Sequence, residues 1–201
     1  MRWWLVALAA LLVGGCDGGG GGTDAGGGHD AGGARAAHAR ASWRMRCASG
    51  ECPAVETPAR TIDHDHLQDG HEVRCDLPLE GATRRMDITA RSPDGYGFEV
   101  RGATIGADGG RIMGSLCQIR IFEPGDVDLL TTCTSSSPAP GTACQLSRIM
   151  IRSVDGVPTL SADLRCDDAP ADGRPSELRD VTSPTSAGAS AELAFTGCTG
   201  L

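Results

Sequence analysis

Hydrophobic and polar residues alternate along several short segments of this chain. Within residues 72–79, Val73, Cys75, Leu77 and Leu79 share one face, and charged residues occupy the other. A period of two is typical of a β-strand that buries one face. The same pattern recurs in six further segments, at Met86, Ile88 and Ala90; Tyr96, Phe98 and Val100; Cys117, Ile119 and Ile121; Val127, Leu129, Thr131 and Cys133; Leu160, Ala162, Leu164 and Cys166; and Ala191, Leu193 and Phe195.

Turn-forming residues separate these segments, and no run of ten residues has a helical pattern. Clusters of Gly, Pro and Asp lie at residues 93–95, 107–110, 123–126 and 155–156, as expected between strands. The spacing predicts an all-β fold, an antiparallel β-sandwich or barrel-like domain. Residues 176–190 are polar and predict a long loop, and Asp167-Asp168 predicts a turn before Pro170.

The first sixteen residues have a different pattern. Met1-Arg2 is followed by an uncharged apolar run over residues 3–13, then by Gly14-Gly15 and Cys16. A membrane-spanning helix needs about 20 apolar residues, so this short run is typical of a secretory signal peptide. Residues 13–16, Val-Gly-Gly-Cys, resemble the lipobox of bacterial lipoproteins. The resemblance implies that Cys16 is lipidated (a palmitate-type anchor), that the chain is cut before it, and that the new amine is acylated.

The leader therefore implies a lipid anchor in the cell envelope, on the outer membrane or on the periplasmic face of the inner membrane. In enteric bacteria, the Asp17 that follows would favour the inner membrane. The alternative is an ordinary secreted protein that is cut near Gly15 and keeps a spare thiol at Cys16. That alternative is weaker, because an unpaired thiol invites wrong pairing in an oxidising compartment.

Composition divides the rest of the chain into a tether and a domain. Residues 17–33 hold ten of the 29 Gly, and residues 17–42 lack Val, Ile, Leu, Met and aromatic residues. Such a stretch cannot bury enough apolar surface to fold. We therefore predict a signal peptide at 1–15, a lipidated Cys and flexible tether at 16–42, in which His29 and His38 are solvated, and a Cys-rich β domain at 43–201. This layout resembles predicted Cys-rich lipoproteins of myxobacterial type, a resemblance that implies no activity.

The cysteine count supports export. After Cys16, eight Cys remain: Cys47, Cys52, Cys75, Cys117, Cys133, Cys144, Cys166 and Cys198. An even number in an exported domain predicts a disulfide framework, although eight Cys allow roughly a hundred pairings. We prefer local pairs, Cys133–Cys144 and Cys166–Cys198. Residues 117–121 and 144–149 are similar and each precedes a second Cys-ended strand, which indicates a duplicated hairpin or a chance likeness.

The candidate chemistry is sparse. The net charge of −8 disfavours nucleic acid as a partner. His64, His66 and His71 lie among carboxylates and could reach zinc or copper, but we favour a solvated acidic loop. Hydrolase motifs and phosphate loops are missing from the sequence, so we assign no catalytic residue and no cofactor.

These observations leave three functional hypotheses. The first is a membrane-anchored, non-catalytic binding or structural module, whose ligand could be an envelope protein or a polysaccharide. The second is an envelope hydrolase with a site built from scattered residues, and the third is a metal-binding protein that uses the His cluster. The oligomeric state stays open.

Overall fold

A computed structural model describes residues 36–50, 52 and 57–201. Among these residues there is no α-helix, and the secondary structure consists of thirteen β-strands and one short 3-10 helix at Gln68–Gly70. The strands are β1 (His38–Gly50), β2 (Arg60–Asp65), β3 (Glu72–Asp76), β4 (Leu79–Glu80), β5 (Thr83–Arg91), β6 (Gly97–Gly106), β7 (Gly109–Met113), β8 (Gln118–Phe122), β9 (Leu129–Thr134), β10 (Cys144–Val154), β11 (Val157–Ala171), β12 (Arg174–Thr182) and β13 (Ala191–Thr196). The all-β prediction is confirmed.

All thirteen strands belong to one sheet, whose main path is β12-β1-β13-β11-β10-β9-β8-β6-β5-β3. The ladders are antiparallel except for a short parallel pairing of β9 with β10. Strands β12 and β13 both lie between β1 and β11, because each of them pairs with both. The long strand β11 thus joins the two halves of the sheet.

The sheet closes on itself, which makes the domain barrel-like: β12, at one end of the main path, also pairs with β11, and β3, at the other end, contacts the segment after β13. Beyond β13, Thr199 donates its backbone N–H to Cys75 O at 2.8 Å and accepts a bond from Leu77 N at 2.9 Å. A disulfide between Cys75 and Cys198 crosses the same contact. The contact between β3 and this segment is a parallel bridge with a few side-chain bonds rather than an extended ladder, and the disulfide adds a covalent link to it.

The alternating apolar positions form the core. Most positions that the pattern predicts to be buried are buried, and Tyr96 and Thr131 are half-buried. The prediction is wrong for Leu79, which is 56% exposed. The largest buried side chains include three aromatic residues: the ring centroids of Trp43 and Phe98 lie 5.6 Å apart, and those of Phe98 and Phe195 lie 6.1 Å apart. Edge-to-face packing of this kind adds to the burial of apolar area.

Two predicted loops are strands. Residues 174–182 form β12, so only the second half of the predicted 176–190 loop is irregular. The polar residues of β12 gave no apolar alternation, but the strand is held by backbone ladders with β1 and β11. Asp167-Asp168 lies within β11 rather than in a turn, at a bulge where Asp168 has a φ of 51°.

The folded domain begins earlier than the predicted boundary at Trp43. Strand β1 starts at His38, and Ala39 and Ala41 are buried. Ala side chains resemble linker composition in the sequence, but here they pack where β1 runs between β2 and β13. The predicted signal peptide, Cys16 and the predicted tether up to residue 35 lie outside the described residues.

The eight Cys of the domain form four disulfides, Cys47–Cys52, Cys75–Cys198, Cys117–Cys133 and Cys144–Cys166. The predicted pairs Cys133–Cys144 and Cys166–Cys198 are therefore wrong. Strands β8 and β9 form one antiparallel pair and β10 and β11 another, and each pair is crossed by its own disulfide. Cys133 does lie beside Cys144 in the sheet, but on a parallel strand, and each bonds across its antiparallel pair.

Candidate functional site

The predicted His cluster lies between β2 and β3. The rings of His64 and His71 are stacked, with centroids 3.7 Å apart and planes 13° from parallel. His71 Nδ1 donates to Gln68 O at 3.0 Å, and His66 Nδ1 accepts the backbone N–H of Val73 at 3.2 Å. The three side chains therefore fill the space between two strands that share no ladder among the described residues.

This arrangement does not favour the metal hypothesis. The lone pair of an imidazole nitrogen lies in the ring plane, so stacked rings do not direct two nitrogens at one ion. His66 also uses one ring nitrogen to accept a backbone N–H. In the described part of the chain, no three His, Cys, Asp or Glu side chains are placed to hold a metal ion.

His38, which the sequence placed in the tether, joins the first two strands. Its Nε2 lies 3.1 Å from Asp63 and its Nδ1 lies 3.0 Å from Asp65. Strands β1 and β2 pair in this register. The expectation of a solvated His38 is therefore wrong, and the residue instead links β1 to β2.

A buried carboxylate lies in the turn after β8. The side chain of Glu123 is fully buried, and Arg60 donates to its Oε1 from Nε at 2.9 Å and from Nη2. Its Oε2 has no hydrogen-bond partner among the described residues. Burial raises the pKa of the Glu123 carboxyl above its ordinary value, because the loss of hydration outweighs the bond from Arg60.

A second carboxylate of the same turn holds β12. Arg179, which is 1% exposed, donates to both oxygens of Asp126 at 2.9 and 2.7 Å. Arg179 also contacts Glu177 at 3.0 Å and Cys52 Sγ at 2.9 Å. Bidentate bonds of this kind are strong and directional. Sequence reasoning missed these pairs, because the partners are far apart in the chain and the turn residues alone indicate solvated loops.

These two pairs serve the fold rather than catalysis. A carboxylate in general acid–base chemistry must reach a substrate. Glu123 and Asp126 are instead each covered by a guanidinium, and each joins the turn to a distant strand. We therefore assign no catalytic role to this cluster of buried ion pairs.

A groove of about 370 Å³ lies elsewhere on the domain, where four segments of the chain meet. Its lining includes Ala107 and Asp108 from the turn after β6, Ile151 and Arg152 from β10, Pro158 from β11, and also Arg84 and Leu201. Arg84 fixes one wall, since it donates to Ala107 O at 2.8 Å, Leu77 O at 2.8 Å and Gly200 O at 2.6 Å. The backbone N–H of Ile151 bonds to Asp108 O at 3.1 Å and fixes the other wall.

Two arginines without a carboxylate partner line this groove. Ten arginines lie within 4.0 Å of a carboxylate of the described residues. Arg46, Arg84, Arg91, Arg111 and Arg152 have no such carboxylate among the described residues, and of these five Arg84 and Arg152 line the groove. The guanidinium of Arg152 donates to Met150 Sδ at 3.2 Å. The groove thus contains two guanidinium groups and one carboxylate, that of Asp108. No sequence signal could have found it, because the groove exists only after distant segments come together.

The fold and these sites define a disulfide-stapled, barrel-like β domain with a cationic groove. The chain matches no known family model, no curated protein and no solved structure. Among the described residues, no helix has the length and apolar character needed to span a membrane.

Proposed function

We propose that this protein is a lipid-anchored lipoprotein of the bacterial cell envelope, and that its β domain is a non-catalytic binding module. The observation that carries the proposal is the partition of the cysteines. Eight of the nine Cys pair with one another in four disulfides, which leaves Cys16 as the odd cysteine. That cysteine is also the one that ends a lipobox-like sequence.

The disulfides support an extracytoplasmic location. Structural disulfides form and persist in oxidising compartments such as the bacterial periplasm, and they are rare in the cytosol. A single acyl chain holds a protein to a membrane only marginally, whereas two or more anchor it stably. A lipoprotein-type Cys16 that carries several acyl chains would therefore be a sufficient anchor for a chain without a spanning helix among its described residues.

We favour a binding role over catalysis because the buried acidic side chains form structural ion pairs. The buried carboxylates of Glu123 and Asp126 are committed to arginines that hold the sheet together. The groove lined by Arg84 and Arg152 instead offers donors with no carboxylate partner among the described residues. We therefore place ligand binding, rather than a reaction, on the β domain.

The anchor is tested by cell fractionation of the wild type and of Cys16→Ser, with Ala10→Ser as the matched control in the apolar run. We expect the wild type and the control in the membrane fraction and Cys16→Ser in the soluble fraction. A Cys16→Ser variant that stays in the membrane fraction would overturn the proposal. Intact masses with and without reduction should differ by eight hydrogens, because there are four disulfides in the domain.

A further inference from the structure

The groove between the turn after β6 and the β10–β11 hairpin has the chemistry of an anion site. Arg84 and Arg152 both line it, and neither has a carboxylate within 4.0 Å among the described residues. The remaining walls are partly apolar, through Ile151, Pro158 and Leu201. Its volume of about 370 Å³ falls in the range of roughly 300–1,000 Å³ typical of small-molecule pockets.

The two arginines differ in what they do for the fold. Arg84 is structural as well as cationic, because its Nε and Nη1 hold three backbone carbonyls. The guanidinium of Arg152 donates to the sulfur of Met150, two residues away on the same strand. Arg152 is exposed and lines the groove, so its remaining donors are accessible to an anionic ligand.

The groove also restricts the type of anion. A guanidinium presents paired donors whose geometry matches a carboxylate. Asp108 lines the same groove and has no cationic partner within 4.0 Å among the described residues, so it disfavours a ligand with more than one negative charge. The apolar walls favour a ligand with a hydrocarbon part.

We propose that this groove binds a monocarboxylate with an aliphatic chain, whose carboxylate lies at Arg152 and Arg84 and whose chain lies against Ile151, Pro158 and Leu201. The inference deepens the proposed function, since it names the ligand class of the β domain. Its test involves neither Cys16 nor a membrane, so the failure of one proposal is distinguishable from the failure of the other.

The test is a calorimetric titration of the purified protein with octanoate, with octanol as the uncharged probe. We expect saturable binding of octanoate and no saturable binding of octanol. Arg152→Gln should weaken octanoate binding at least tenfold. The matched control is Arg111→Gln, which removes the same charge from an exposed arginine of β7 that does not line the groove and should leave the affinity unchanged.

A second variant has the opposite expected sign. Asp108→Asn removes the repelling carboxylate but keeps the backbone carbonyl that bonds to Ile151, so octanoate should bind more tightly. Damage to the groove would instead weaken binding in both variants. The proposal is overturned if octanoate shows no saturable binding, if octanol binds equally well, or if Arg152→Gln and Arg111→Gln have the same affinity.

Discussion

The disulfide that closes the sheet should contribute most to stability among the four. Cys75–Cys198 joins residues 123 apart, and Cys144–Cys166 joins residues 22 apart. In the chain-entropy model, cross-links of these lengths stabilise by about 4.9 and about 3.4 kcal/mol at room temperature. Removing each pair as a double Cys→Ala variant should therefore give losses that differ by about 1.5 kcal/mol.

Comparing these two pairs isolates the cross-link from the packing. All four residues are buried, so each double variant loses a similar amount of sulfur packing. The structure adds a reason for the larger loss at Cys75–Cys198, because the noncovalent contact between β3 and the segment after β13 is a parallel bridge with a few side-chain bonds rather than an extended ladder. The shortest cross-link is Cys47–Cys52, with a separation of five residues, for which the same model predicts about 2.1 kcal/mol.

The assay is urea unfolding of the purified protein under non-reducing conditions, with the free energy of unfolding obtained by linear extrapolation. The expected order of loss is Cys75–Cys198, then Cys144–Cys166, then Cys47–Cys52. If the Cys144–Cys166 variant loses as much as the Cys75–Cys198 variant, or more, then loop closure does not govern the contribution of these cross-links and the reasoning fails.

Two further predictions concern a buried charge and a close backbone approach. Burial raises the pKa of Glu123 in the folded protein above its ordinary value of 4.5. As the pH rises, this carboxyl therefore ionises in the unfolded chain before it ionises in the folded protein. The wild type should lose stability relative to Glu123→Gln as the pH rises from about 4.5 through the folded-state pKa. Urea unfolding across that pH range measures the difference, and a difference that does not change with pH contradicts the assignment. Gly97→Ala should destabilise by at least the roughly 1–3 kcal/mol typical of overpacking, because its Cβ would lie 2.3 Å from Ala90 O. Gly188→Ala, whose Cβ meets nothing within 4 Å, should unfold at nearly the wild-type temperature.

The strand faces were predictable because the alternation of apolar and polar residues follows directly from burial of one face of the strand. A face that packs against the core must be apolar at every second position, and this holds for Met86, Ile88 and Ala90 on β5 and for Leu160, Ala162 and Leu164 on β11. The pattern fails where polar residues form a strand. Strand β12 is held by ladders on both sides and by the buried ion pair of Arg179 with Asp126, and neither leaves a local signal.

The start of the domain was missed for a related reason. Ala39 and Ala41 are small enough to occur in a tether, and only their neighbours on β2 and β13 make them core residues. His38 likewise has no local feature that distinguishes it from a solvated histidine. Its two carboxylate partners come from β2, more than twenty residues further along the chain.

The amino-acid sequence by itself determined the all-β class, most buried faces and the odd cysteine at position 16, because periodicity and composition are local properties. Tertiary structure alone decided the disulfide partners, the barrel-like closure at Cys75–Cys198 and the groove lined by Arg84 and Arg152. Each of these depends on which distant strands become neighbours. Which strands become neighbours is decided by side chains from many segments that pack together and by the turns between strands, so no single segment of the sequence contains the information.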